Sequence, residues 1–239
     1  MLKIMATRPI FLSSDPGNLI GFDPAHSIAG VVSVPIEFCW YAGLAVSQKQ
    51  KSIASLHSAA RAAIGIERIL EISSKSMDPL GVALSAFNLD LRYEDRLVPV
   101  EVAFQSSKVF LHGGPYLDLL DATPREAKTD PRIKESGRLT GFRFKDDGWP
   151  LQPTTAFYDW LYIQALEQNP ALAESLVDYQ AFTDIEFNPE KSINCQARSA
   201  ALYARLRHEG GLKDALSSRD AYMGVLEDYK VPLAQLALC

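Results

Sequence analysis

The stretch Val98–Phe110, VPVEVAFQSSKVF, is apolar along most of its length and still carries three polar groups in register. Read as a helix, it sets Glu101, Gln105 and Lys108 at spacings of four and seven, which return to one face of a 3.6-residue turn. Around them stand Val100, Val102, Ala103, Phe104, Val109 and Phe110, the residues of a buried helix. Two readings fit the polar stripe. One is a partly buried ion pair, Glu101 with Lys108, tying helices together. The other is a carboxylate tuned to move a proton in a pocket that excludes bulk water.

The rest of the chain punctuates itself clearly. The first thirty residues, rich in Gly, Pro, Ser and Asp, read as an irregular arm. VSVPIEFCWY has strand composition, with Pro35 favouring an edge. SQKQKSIASLHSAARAAI reads as a helix capped by Ser47 and stopped at Gly65. Its Lys49 and Lys51 fall at the helix end that disfavours cations, a mild sign of another role. RILEISS is a strand, followed at once by Lys75; VALSAFNLDL is a second short element. His112–Pro153 is glycine-punctuated and loop-rich. Helices follow in TTAFYDWLYIQALEQN and in PALAESLVDY, where Pro170 suits a first turn.

In AFTDIEFNP, strand alternation sets Phe182, Asp184 and Glu186 on one side and Thr183, Ile185 and Phe187 on the other. Asn188 and Pro189 then have the chemistry of a cap and first residue for a helix running on through Arg207. In that helix Asn194 and Arg198 would lie one turn apart. The whole reads as a single helix-rich α+β domain with a small β component, divided into an N-terminal extension (1–69) packed on a core (70–239).

Composition narrows the function classes. The chain has 239 residues, 47% hydrophobic and 22% charged, an ordinary globular balance. No apolar run approaches the roughly 18 residues of a membrane span, and the N-terminus lacks a signal-peptide pattern. The chain therefore reads as soluble and cytoplasmic. Three scattered cysteines and four histidines without ligand spacing argue against a disulfide framework or a metal site. A net charge of −5 argues against a dedicated nucleic-acid clamp. Arg125–Lys145 nevertheless holds seven basic residues against three acidic ones, either a solvated face or a local lip for phosphates.

No Walker loop, dinucleotide fingerprint or HExxH is present. LHGGPY has the glycines of an esterase oxyanion loop but no G-x-S-x-G elbow, so it reads as a turn. What remains is the set Lys75, Glu101, Gln105, Lys108, Asp184, Glu186, Asn194 and Arg198.

Two of these segments in order, LGVALSAFNL and then VEVAFQSSKVF, resemble the NADAR family signature: a Leu-Ser-x-Phe turn, then a helix opening with Glu and continuing Gln-x-x-Lys. FYDWLYIQALEQNPALAESL resembles the helices that follow it. SQKQKSIASLH, LEISSKS and FTDIEFNPEKSINCQARSAAL are similar to the branch that serves as antitoxin to DarT, a DNA ADP-ribosyltransferase toxin. The chain departs from the broad family at Val102, where His is common, at Ala86, where Asn is common, and in lacking a late Trp-Gly element. These departures speak against relatives acting on riboflavin precursors and suit the antitoxin branch.

The resemblance implies an N-glycosidase that needs no cofactor and removes ADP-ribose from guanine bases of DNA, with a DarT-type toxin as its counterpart. It implies Glu101 and Lys75 as catalytic residues. Glu101 would be the carboxylate beside the ribose, and Lys75 the amine that attacks or polarises a ring-opened sugar. Substrate-binding residues would be Ser85, Phe87 and Asn88 of the turn, Gln105 and Lys108 of the helix, and Asp184, Glu186, Asn194 and Arg198 of the late segment. Phe87 could stack on a base. For Asp184 and Glu186, structural pairing is an equal alternative; Asn194 and Arg198 could instead hold the FTDIEF strand in place, and Lys75 could be an exposed loop lysine that binds the diphosphate. Two other functions stay open at this stage: an N-glycosidase for a small ribosylated metabolite, and an antitoxin that neutralises its toxin by contact alone.

Overall fold

The computed structural model of the chain describes residues 4–13, 27–28, 31–190 and 192–228. Its largest sheet joins β1 (Ile4–Leu12), β2 (Ser27–Ile28), β3 (Val31–Trp40), β4 (Ile69–Glu71) and β10 (Ala181–Thr183) in the order β2-β3-β1-β10-β4. β1 runs antiparallel to β3 and β10, whereas β10 and β4 are parallel, with Thr183 opposite Glu71. The expected irregular arm is therefore corrected over residues 4–12; most of its remainder lies outside the described residues. The strand is held at its C-terminal end, where both faces are buried. Ile10 and Leu12 enter one core and Phe11 another. Pro9 stands opposite Pro35 in the ladder. Only Val31 and Val32 of β3 pair outward with β2, so Pro35 does lie on an edge among the described residues.

Helix α1 (Val46–Ile64) covers one face of this sheet through Ile53, Leu56 and Ala60, packed with Ile10, Ile36, Phe38 and Ala181. It ends at Gly65, whose φ of 68° is the left-handed stop expected. Its start differs from expectation: Ala45, not Ser47, is the cap residue, and no side chain caps it. Trp40 and Tyr41 hold the entry instead; Tyr41 N–H donates to Ser52 Oγ at 2.9 Å.

The other face meets the larger core. It is built from α2 (Pro79–Ala83), the hairpin β5 (Asp90–Tyr93) and β6 (Arg96–Pro99), and α3 (Val100–Ser106). A three-stranded sheet follows, made of β7 (Lys108–Phe110), β8 (Leu139–Phe144) and β9 (Asp147–Trp149). Short helices α4 (Pro124–Thr129) and α5 (Arg132–Glu135) fill the stretch between β7 and β8. Then come α6 (Ala156–Glu167), α7 (Pro170–Leu176), α8 (Gln196–His208), α9 (Leu212–Ala215) and α10 (Arg219–Asp228). α6 and α8 pack together at the centre, with Leu161, Tyr162, Ala200, Ala201 and Tyr203 fully buried. The architecture is mixed α+β, as expected. No helix among the described residues is long and apolar enough to cross a membrane.

Two expected elements are shorter than their patterns. The helix read over Val98–Phe110 covers Val100–Ser106 only. Ser106 and Ser107 hydroxyls donate to the Ala103 carbonyl at 3.1 and 2.7 Å, which competes with helix continuation, and Val109 and Phe110 turn into β7. The strand read over AFTDIEFNP ends at Thr183, and the late helix begins at Gln196 after Cys195, not at Asn188 and Pro189. Asn188 does use its side chain locally: Oδ1 accepts from Glu190 N–H at 3.1 Å, a turn in place of a helix cap.

Candidate active site

Four segments converge on a cavity of about 950 Å³. They are the loop after β4 (Ser73–Lys75), the turn Ser85–Phe87, helix α3 and the segment Asp184–Gln196. Lys108, Lys128, Leu139, Phe142 and Tyr158 add to the wall, with Leu151, Gln152 and Thr154 beside them. The volume is within the range of small-molecule sites, roughly 300–1,000 Å³.

The turn and α3 are bound to each other before any ligand arrives. Glu101 N–H donates to the Ala86 carbonyl at 2.8 Å, and Ala86 N–H donates to Gln196 Oε1 at 2.7 Å. Gln196 Nε2 also donates to the Ile72 carbonyl at 2.7 Å. One amide at the start of α8 thus staples the Ser85–Phe87 turn to the residue after β4. α2 approaches β4 so closely that a Cβ on Gly81 would lie 1.9 Å from the Glu71 carbonyl oxygen. Only glycine fits there.

Glu101 is buried, and its Oε1 is fully engaged. Gln105 Nε2 donates to it at 2.8 Å and the Lys128 ammonium lies 3.4 Å away. Among the described residues Oε2 has no partner. Lys108 has left the helix, yet β7 returns its ammonium to the same pocket, 4.8 Å from the Phe104 ring centre. Burial brings it down to about 8, with Glu101 opposing and Lys128 adding to the shift. Tyr158 is pushed well above the ordinary phenol range by burial and then by Glu101, so it lines the cavity as a neutral hydroxyl.

Among the described residues, three polar atoms of the cavity wall are buried with no hydrogen-bond partner from the protein: Ser85 Oγ, Gln105 Oε1 and Asn194 Oδ1. Buried polar atoms are nearly always satisfied, so an orphaned set in one cavity is a set waiting for donors and acceptors. Phe87 is exposed at the wall, with the Lys128 ammonium 5.2 Å from its ring. Lys75 donates from Nζ to Ser74 Oγ at 3.0 Å.

Asp184 and Glu186 both line the cavity although strand alternation ends before them. Asp184 Oδ1 accepts from the N–H groups of Glu186 and Phe187 at 3.0 and 3.2 Å, which fixes the turn. Burial, and then the nearby Glu71 carboxylate, raise Asp184 from its ordinary range. Glu186 pairs with Lys49 at 3.2 Å, the lysine whose place early in α1 looked misfitted; Lys49 also sits 4.8 Å over the Trp40 ring.

Two expected binding residues lie elsewhere. Asn88 faces outward and donates to the Val82 carbonyl at 2.8 Å, closing the end of α2. Arg198 is buried between α6 and α8, paired with Asp159 and donating to Thr155 Oγ1 at 2.9 Å. Neither lines the cavity. Conversely, the sequence reading missed Gln196, Tyr158 and Ser73, and it named Lys128 only within the basic segment. Of the basic residues of that segment Lys128 alone lines the cavity, while Arg132 is held by Asp118 and Asp130 at 2.7 and 2.9 Å.

Among the described residues no cluster of three or more His, Cys, Asp or Glu is arranged to hold a metal ion. The arrangement can do acid–base chemistry on an anionic, hydroxyl-rich ligand: one carboxylate with a free oxygen, amines around it, and unfilled polar positions. Residues 6–235 match a family model described as DarT1-associated NADAR antitoxin, so the match spans nearly the whole chain. No curated protein matches it.

Proposed function

Because the chain belongs to the DarT1-associated NADAR antitoxin family, we propose that it is a hydrolase that cuts ADP-ribose from guanine bases of DNA and so reverses the toxin's modification. The observation that carries this reading is Glu101 Oε2, free beside three orphaned polar atoms in one cavity.

The bond to be cut joins C1 of the distal ribose to the exocyclic nitrogen of guanine. As it breaks, positive charge grows on the sugar and the bonding pair leaves with the base. Glu101 Oε2 faces the first, takes the proton of the attacking water and passes it to the departing guanine nitrogen, so that ADP-ribose and the restored amino group are the products. Gln105 fixes its orientation from the other oxygen. Ser85, Gln105 Oε1 and Asn194 meet ribose hydroxyls, and Lys108 and Lys128 face the diphosphate. Phe87 stacks on a base at the mouth. A guanine in a duplex would have to leave its stack to enter, so single-stranded or frayed DNA is the expected substrate.

Lys75 supplies a covalent variant of the same reaction. On a ring-opened sugar its amine displaces the guanine amine from C1, giving a lysine imine that water hydrolyses to ADP-ribose and free lysine.

The test is release of ADP-ribose from a guanine-ADP-ribosylated oligonucleotide. Wild type should release it and Glu101→Ala should not; Lys75→Ala should lose release by the covalent route and keep it by direct attack of water. Adding cyanoborohydride separates the routes, because only an imine is trapped as a Lys75 adduct. A folded wild type that releases nothing overturns the proposal.

A further inference from the structure

The turn that carries Asp184 and Glu186 is held from behind by a chain of buried polar groups beginning in α1. Glu71, at the end of β4, is almost completely buried. Its Oε1 accepts from Ile185 N–H at 2.8 Å, and its Oε2 accepts from the Thr183 hydroxyl at 2.6 Å. The Thr183 oxygen lies 2.8 Å from His57 Nε2. Thr183 has one hydroxyl proton and gives it to the Glu71 carboxylate, so His57 must donate from Nε2. His57 belongs to α1, in the part of the chain preceding the core.

The backbone N–H groups from Ile185 to Phe187 are thus divided between two carboxylates. Glu71 takes the first from the interior, and Asp184 takes the next two from the cavity side. Moving either carboxylate frees an amide and reshapes that wall. At the surface, Lys49 of α1 grips Glu186 of the same turn.

We infer that Glu71 is a positioning residue for the reaction, and that His57 and Thr183 hold it so that α1 sets the geometry of the cavity's acidic wall. The inference rests on the hydrolase reading for its kinetic consequences, though the brace itself can be read without turnover. Thr183→Val keeps the side-chain shape and removes both hydrogen bonds, whereas Thr183→Ser keeps the hydroxyl.

Two measurements test this. The first is ADP-ribose release by both variants, alone and with Asp184→Ala. The expected result is at least a tenfold loss in Thr183→Val, retention in Thr183→Ser, and no additional loss from Thr183→Val once Asp184 is gone. The second is amide exchange at Ile185–Phe187, which should rise in Thr183→Val while the α6 core stays protected. Wild-type activity in Thr183→Val, or a loss undiminished by Asp184→Ala, overturns the inference; so does unchanged exchange in the turn. If Thr183→Val does not fold, His57→Leu is judged by the same criteria. If wild type releases nothing, the hydrolase reading fails by itself, and the exchange result decides the brace.

Discussion

Gln105 spends its amide on Glu101 and leaves its own carbonyl unpaired: Nε2 donates to Glu101 Oε1 at 2.8 Å, while Oε1 is buried without a partner. That oxygen lines the cavity, and an unmet buried acceptor costs about 1–3 kcal/mol, so it is met there by water or by a ligand group. Gln105→Leu should therefore melt no lower than a few degrees below wild type. ADP-ribose release should fall about a hundredfold as the carboxylate loses its orientation. Thermal melting and turnover on one preparation check both halves.

The lowered Lys108 predicts a pH dependence of binding. Its ammonium is charged below about 8 and increasingly neutral above it, so affinity for a diphosphate should fall as pH rises through that value. Calorimetric titration of ADP-ribose between pH 6.5 and 9.5 should show the decline, and Lys108→Met should remove it along with part of the affinity.

His57 predicts a pH dependence of stability. Burial, and secondarily the Arg61 charge, lower it to about 4, against 6.5 when free. Between those values the unfolded chain binds a proton that the fold refuses. Stability is thus retained above 6.5 and lost as pH falls towards 4, by at most about 3 kcal/mol. The raised Glu71 and Asp184 act in the opposite sense, because burial penalises their charged forms in the fold. Urea titrations of wild type and His57→Leu at pH 7.5 and 5 isolate the histidine: wild type should lose more on acidification than the variant.

Gly81→Ala should be severe for a small change. The new methyl would meet the Glu71 carbonyl at 1.9 Å and Ser76 Oγ at 2.5 Å. Overpacking of this kind costs about 1–3 kcal/mol. The strain falls on the loop that carries Lys75, so turnover should drop beyond what the lowered melting point explains. Full activity after mild stabilisation by osmolyte would contradict this.

The parts of the site written in local periodicity were legible. Glu101 and Gln105 share a helix face as their spacing demands, and Gly65 stops α1 as glycine should. Lys108 reached the cavity by another route than the one read, because two serine hydroxyls ended the helix before it. β1 was hidden by Pro9 and by the polar residues after it. Asn88 and Arg198 have the right chemistry for a ligand, but which way a side chain turns is decided by packing: Arg198 found Asp159, and Asn88 found Val82. Gln196 had no local signature at all, since its partners Ala86 and Ile72 lie 110 and 124 residues away.

The parallel pairing of Thr183 with Glu71 also bears on when the protein becomes competent during synthesis. Glu101 and Lys75 emerge from the ribosome early, but the turn behind Asp184 and the Gln196 staple come more than eighty residues after Glu101. Long-range closure of this sort is slow relative to local helix formation. A nascent chain therefore carries Lys75 and Glu101 without the far wall of their cavity until Gln196 and the turn before it have been made.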